Sequence, residues 1–282
     1  MKLYHRDALM HPVSWALRAV DIEQMKRFYS EGMGFKLISE SEKEAVLSAD
    51  GSKPILTLLG GDIEPKPNGR AGLYHIAILL PSRRDLGSFI RHIMDYGAKH
   101  IGGSNHGVSE AFYMEDPEGN GIEVYADIPD SKWEFVDEKP VMFTEPLDYR
   151  GLLQEAEGHP WEGMPEDTII GHIHLHVGDL DKAERFYEAL GFELVYAMAA
   201  SAYFMSTGGY HHHIGFNVWN GRGAKPAPEN ASGLDHFVLN AAGQSLVEIK
   251  EKLEDAGYDA ILENGKLKTK DPSGNGIVIK GN

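Results

Sequence analysis

No cysteine occurs anywhere in this chain of 282 residues. That excludes disulfides, thiolate metal sites and cysteine nucleophiles, so any bound metal must be held by His, Asp or Glu. Positive charge is scarce: 27 Lys and Arg stand against 43 Asp and Glu, a formal net charge of −16. A field of that sign repels nucleic acid and anionic membrane surfaces, so neither is expected as a partner. No apolar run approaches the roughly 18 residues that a membrane helix needs. The opening MKLYHRDALMHPVSW has neither the apolar segment nor the cleavage site of a secretory leader, and a cytoplasmic protein is expected. A GxSxG elbow, a Walker loop and an HExxH helix are also missing. The pairs Gly102-Gly103 and Gly208-Gly209 lack the strand–GxGxxG–helix setting of a nucleotide site and read as turns.

What is present is a repeat. The run SWALRAVDIEQMKRFYSEGMGFKL from Ser14 is echoed by HIHLHVGDLDKAERFYEALGFEL from His172. Each begins with a strand-like alternation and has an Asp (Asp21, Asp179) opening an amphipathic stretch. Each then carries Phe-Tyr (Phe28-Tyr29, Phe186-Tyr187) and stops at Gly-Phe (Gly34-Phe35, Gly191-Phe192). Asp is a natural helix N-cap and Gly a natural helix stop. A second pair also matches: LYHIAILLP (73–81) and LDHFVLNAA (234–242), strands with His third, each leading to a helix that ends in Gly. These modules close with the near-identical DPEGNGIEVY (116–125) and DPSGNGIVIK (271–280), tight turn chemistry followed by an alternating strand. The chain is thus four units, A, B, A′ and B′, of about 60 to 75 residues, each strand, helix, then three strands. Residues 129–167 are rich in Pro and acidic groups without clear periodicity and read as a linker. The expected division is 1–128 (A, B), linker 129–167, and 168–282 (A′, B′).

A βαβββ unit repeated four times with this Asp…Phe-Tyr…Gly-Phe pattern resembles the vicinal oxygen chelate superfamily over nearly the whole chain. The resemblance implies an α+β fold in which four βαβββ modules form two cup-shaped mixed sheets, with a metal held in a cup. Within the superfamily, HGVSEAFYMEDPEGNGIE (106–123) is similar to the pattern of extradiol, catechol 2,3-type, ring-cleaving dioxygenases. The matching positions are His106, Phe112, Tyr113, Asp116, Pro117, Gly119 and Glu123; Ser104 departs from it. In B′ the turn persists, but Val278 stands where B has Glu123.

By position, the resemblance makes Glu123 the carboxylate ligand, His75 one imidazole ligand, and Tyr113 and His106 groups on the substrate side of the metal. Two imidazoles and one carboxylate on one face of Fe(II) leave open positions for a diol and O₂; Mn(II) suits the same donors and is the alternative ion. The third ligand must come from the first strand of a partner module. In A that position is Ser14, a poor ligand; in A′ it is His172. We therefore expect B to pair with A′ around His75, Glu123 and His172, and A with B′ around Ser14, His236 and Val278, a set without metal chemistry. If A pairs with B instead, these ligands are split and neither cup holds a full triad, and A′-B′ could then use His172, His236 and a nearby His. His172, His174 and His176 alternate along one strand and share a face, with one ligating and another supporting it.

In GGYHHHIGFNVW (208–219), counting from Met114 and Met205 sets Ile214 opposite Glu123. Continued alternation then turns His212 and Tyr210 inward, and His211 and His213 outward. The resemblance implies an acid–base His on the last strand of the third module, just before an apolar strand end, and His212 is the candidate; imidazole suits proton transfer near neutral pH. Trp15, Phe112, Tyr210, Phe216 and Trp219 are candidates for an apolar wall. The resemblance implies a small aromatic diol and O₂ as reactants, ring opening beside the hydroxyls, and a homo-oligomer. The alternatives are a glyoxalase-type isomerase or lyase, which usually carries a second carboxylate, and a metal-free small-molecule binding protein.

Overall fold

A computed structural model describes residues 3–281. The four βαβββ units are present. Module A has β1 (Pro12–Arg18), α1 (Ile22–Arg27), β2 (Lys36–Ser41), β3 (Glu44–Ser48) and β4 (Leu56–Leu59). Module B has β5 (Gly72–Leu79), α2 (Arg83–Tyr96), β6 (His100–Asn105), β7 (Ser109–Glu115) and β8 (Gly121–Asp127). The segment 129–167, featureless in the sequence, forms short strands β9 (Phe135–Val136), β10 (Lys139–Pro140) and β11 (Glu145–Pro146) and helix α3 (Tyr149–Glu155). Module A′ has β12 (Ile169–His176), α4 (Leu180–Ala189), β13 (Glu193–Met198), β14 (Ala202–Ser206) and β15 (Ile214–Asn217). Module B′ has β16 (Gly233–Asn240), α5 (Leu246–Asp255), β17 (Ala260–Glu263), β18 (Lys266–Lys270) and β19 (Gly276–Lys280). The strands make an eight-stranded and a nine-stranded mixed sheet and a two-stranded ribbon, an α+β fold. Among the described residues no helix is long and apolar enough to cross a membrane.

The repeat's punctuation has its expected physical roles. Asp21 and Asp179 cap α1 and α4, accepting from Gln24 N and Lys182 N at 2.9 and 3.1 Å. A has one residue more than A′ between Phe-Tyr and Gly-Phe, and α1 absorbs it by widening into a π turn at Phe28–Gly32. Gly34 then reverses the chain at φ +88°, and a Cβ there would meet Gly163 Cα at 2.6 Å.

Contacts divide the chain into two units, neither a continuous run. The first holds residues up to Arg18, Asp62–Tyr74 and Gly171 onward. In it β1 pairs antiparallel with β16, β16 runs parallel to β19, and β19–β18–β17 complete the array. Modules A and B′ are thus joined through their first strands, as expected. β12 runs parallel to β15, which continues to β14 and β13. Leu175, Phe186, Tyr187 and Phe216 are fully buried there.

The second unit holds Ala19–Gly61 and His75–Ile170. β4–β3–β2 form a meander. β5 runs parallel to β8, followed by β7, β6 and β11. Leu86, Phe89, Ile90 and Ile93 of α2 are buried on one face, the stripe a sheet-packed helix requires. The segment after residue 129 is fastened to α2: Arg91 Nη2 donates to Leu153 O at 2.7 Å, Ser88 Oγ to His159 O at 2.8 Å, and Arg83 Nη1 to Glu155 at 2.7 Å.

Each unit contains one clasp between a helix and a DPxGNG turn. Asp116 accepts from Glu118 N, Asn120 N, Asn120 Nδ2 and, at 2.9 Å, Tyr29 OH. Asp271 accepts from Ser273 N, Asn275 N, Asn275 Nδ2 and, at 3.3 Å, Tyr187 OH. The tyrosine of Phe-Tyr and the aspartate of Asp-Pro are thus two halves of one contact. Burial raises both carboxyl groups, Asp116 to about 6, and pushes both phenols well up.

Candidate metal centre

In the second unit, β5 and β8 bring His75 and Glu123 together. The parallel register sets Ala77 beside Glu123 and His75 beside Gly121, and His75 Nε2 lies 3.0 Å from Glu123 Oε2. Both are buried, at 7% and 3% exposure. A carboxylate so removed from water needs a positive partner, which a cation held between Glu123 and His75 would supply. Tyr113 pairs with Glu123 across β7–β8, and its ring lies 5.8 Å from that of His75. Tyr113 OH is 2.7 Å from His106 Nε2, and His106 Nδ1 is 2.9 Å from Phe143 O. A carbonyl only accepts, so His106 carries its proton on Nδ1 and Tyr113 donates to Nε2. Ala77, Leu79, Ala111 and Tyr125 form a buried apolar floor on which Tyr113 packs.

In the first unit, His172 lies on β12, 2% exposed. The ring of His212 stands 4.0 Å from it and that of His211 6.1 Å. The inward and outward assignment of residues 210–213 needs correction. Met205 pairs with Ile214 and Phe204 with Gly215, while Met114 pairs with Ile122 and Tyr113 with Glu123. Gly215, not Ile214, therefore occupies the place of Glu123. The strand begins only at Ile214, so residues 210–213 do not alternate. His211 and His212 sit side by side, Nδ1 to Nδ1 at 2.8 Å, sharing one proton.

His174 and His176 belong to a separate arrangement around Asn217, which is fully buried. Asn217 Nδ2 donates to His174 Nε2 at 2.9 Å, and His176 Nδ1 donates to Asn217 Oδ1 at 2.8 Å. His174 lies flat on Gly215, where a Cβ would come within 3.1 Å of its ring. A third group, not anticipated from the sequence, is His5, His11 and His213 with Tyr210. Each imidazole donates to a carbonyl: His5 to Gly171 O, His11 to Leu9 O and His213 to Tyr4 O, at 2.9, 2.7 and 3.0 Å. Burial lowers His213 well below the usual histidine range, with His5 and His11 adding to the effect, and lowers His11. Of the five aromatic wall candidates, Trp15, Phe112, Tyr210 and Phe216 are buried core, at 0 to 1% exposure, and Trp219 is exposed.

The ligand atoms of His75, Glu123 and His172 lie within 4.8 Å of one another. Two imidazoles and a carboxylate, all buried, are a donor set that fits a divalent first-row metal with open positions. His236, the B′ counterpart of His75, instead has its Nδ1 2.7 Å from Asp235 Oδ2, and Arg18 Nη1 donates to Asp235 Oδ1 at 2.6 Å.

The model of the Glyoxalase/Bleomycin resistance protein/Dioxygenase superfamily matches residues 10–124 and 169–279. The chain is 41% identical over 283 residues to a catechol-2,3-dioxygenase of Bacillus subtilis (strain 168), covering 96% of each. In structure it resembles a putative dioxygenase from Bacillus subtilis (TM-score 0.66, 13% identity, 97% of this chain and 85% of that one). It also resembles glyoxalase I from Zea mays (TM-score 0.59, 16% identity, 96% and 92%). At these identities the two structures speak for the fold alone.

Proposed function

Because this chain belongs to the glyoxalase/bleomycin resistance protein/dioxygenase superfamily, we propose that it is an Fe(II)-dependent extradiol dioxygenase opening catechol or a substituted catechol. The observation that carries the proposal is the buried pair formed by His75 and Glu123, the last residue of the extradiol-like motif, with His172 in the same ligand group. The similarity to a catechol-2,3-dioxygenase over nearly the full chain supports it. His75, Glu123 and His172 would hold the metal, with Fe(II) preferred and Mn(II) accepted by the same donors. When bound, the ion supplies adjacent positions for a diol and O₂ and a route for electrons between them.

The chain's own side chains do the rest. Tyr113, packed on a fully buried apolar cluster that holds it in place, stands on the substrate side of the metal. Tyr113 presents its hydroxyl oxygen to a substrate hydroxyl, and His106, whose tautomer the Phe143 carbonyl fixes, orients the Tyr113 hydroxyl from the substrate side of the metal. His212 is the acid–base group. Its Nδ1 is engaged by His211, so it exchanges protons with the reacting oxygen through Nε2. The reactants are a small aromatic diol and O₂.

The test is anaerobic reconstitution with Fe(II), followed by catechol or substituted catechols and air, watching for the yellow ring-fission product. Colour lost in His172→Ala but retained in Ser14→Ala is the expected outcome. Stoichiometric iron without product from any diol would overturn the dioxygenase assignment in favour of an isomerase. Absence of metal uptake would point to a binding protein.

A further inference from the structure

We propose that Tyr74 and Trp219 form an aromatic rim that receives a flat, uncharged substituent of the diol, making them specificity-determining residues. The proposal rests on the dioxygenase reading above for what is bound at the metal. Its structural basis lies within one unit. His172, His174 and His176 share one face of β12, and the strand carries that face about 13 Å from the first to the last. Along the outer part stand Tyr74 and Trp219, edge to face with centroids 5.0 Å apart and an interplanar angle of 84°. Tyr74 lies 5.0 Å from His174 and 5.1 Å from His176, and Trp219 lies 5.6 Å from His174.

Two features separate this group from ordinary core packing. Tyr74 and Trp219 are 38% and 46% exposed, in contrast to the four buried aromatic candidates. The backbone around them is nonetheless tied down. Trp219 N donates to Asn217 Oδ1 at 3.0 Å, the same buried amide that orients His174 and His176. The adjacent Asn220 donates to Arg70 O at 2.9 Å, tying the Trp219 turn to the strand approach that carries Tyr74. Exposed rings that pack edge to face on a backbone anchored to a buried amide are partly preorganised for a ligand, since part of the ordering cost is met before binding. Ring edges and faces with a neutral amide beneath them favour a flat apolar group over a charged one.

The sister strands show that the position is chemically variable. Leu73-Tyr74-His75 corresponds to Leu234-Asp235-His236. In the β1–β16 ladder the register slips between Ala16–His236 and Leu17–Leu234, so that Asp235 is an extra, bulged residue. There Asp235 is closed off by Arg18 and His236. The Tyr74 position carries an aromatic ring where its counterpart carries an ion pair.

The experiment compares catechol with a phenyl-substituted catechol in the Fe(II)-loaded enzyme and in Trp219→Ala and Tyr74→Ala. Each variant is expected to raise KM for the phenyl-substituted diol by roughly three- to tenfold, the loss of one or two aromatic contacts. KM for catechol should stay within about twofold and iron content unchanged. Trp219 is remote in sequence from the ligand residues, so it guards against Tyr74→Ala acting through His75. KM values that rise together for both diols, or that do not move, overturn the rim. If the wild type opens no diol, the dioxygenase reading fails by itself. The rim then stands if anaerobic phenylcatechol quenches tryptophan fluorescence with an affinity that Tyr74→Ala lowers, and falls if it does not.

Discussion

In module B the histidine of β5 lies 3.0 Å from a carboxylate supplied by the neighbouring parallel strand. In module B′ the corresponding histidine of β16 turns aside to the residue before it, Asp235, at 2.7 Å. The backbone register is the same in both: Ala77 faces Glu123 as Val238 faces Val278, and His75 faces Gly121 as His236 faces Gly276. Asp235 is held below its ordinary range, first by the hydrogen bond with His236 and then by Arg18 against the cost of burial. A repeated backbone therefore sets where ligands can stand, and two positions, Glu123 or Val278 and Tyr74 or Asp235, decide what stands there. The clasps on the other side of each unit show the reverse, an Asp–Tyr contact kept in both halves while the chemistry diverged.

The severest way to break this contrast is Glu123→Val, which gives module B the residue that B′ carries. Valine is accommodated on β19, so the fold is expected to survive by circular dichroism. Metal affinity should fall by more than the roughly 100-fold typical of losing a mere supporting group, with ring opening abolished; metal analysis and the ring-fission assay check both. A retained metal would mean that Glu123 is not the ligand distinguishing the modules.

A smaller effect separates the clasps by pH. Burial raises Asp116 to about 6, above its unfolded range. The stability it contributes is complete below about pH 4 and is lost as pH rises through about 6, on the order of 3 kcal/mol. Urea unfolding of Asp116→Asn between pH 4 and 7 should lose that component. The lowered His213 and His11 act with opposite sign: their contribution is present above about pH 6.5 and lost as pH falls below it. His213→Gln should therefore flatten the acid limb alone.

The smallest test is between the tyrosines. Tyr29 OH reaches Asp116 at 2.9 Å and Tyr187 OH reaches Asp271 at 3.3 Å. Tyr29→Phe should cost about 1–2 kcal/mol and Tyr187→Phe under about 1 kcal/mol, read by denaturant midpoints. Equal losses would show that the buried aspartates, not the hydrogen-bond lengths, set the cost.

The fold was legible because repeats constrain one another. A capping Asp, a Phe-Tyr pair and a Gly stop recurring in order leave little freedom. The residues proposed for the metal were read from the spacing of the motif and from the contrast between Ser14 and His172. Three features were hidden for physical reasons. The histidine run obeys no strand period because Gly208 and Gly209, both at positive φ, make it a turn, so alternation misassigned His211 and displaced the Glu123 counterpart by one. Helix α3 has only one buried residue, Leu152, and it is held by arginines of α2 reaching a carbonyl and a carboxylate, which leaves no apolar stripe to read. The His5–His11–His213 group joins residues some 200 positions apart, a proximity that no local pattern encodes.

The pairing of β1 with β16 has a consequence for synthesis. Pro12–Arg18 leaves the ribosome well ahead of its partner Gly233–Asn240, which follows more than 200 residues later. At about 5–20 residues per second, that strand waits on the order of 10 to 45 seconds with Trp15 and Leu17 exposed to solvent. The nascent chain is therefore at its most aggregation-prone before its last module emerges, and a truncated product lacking B′ should be a client for holding chaperones rather than a folded fragment.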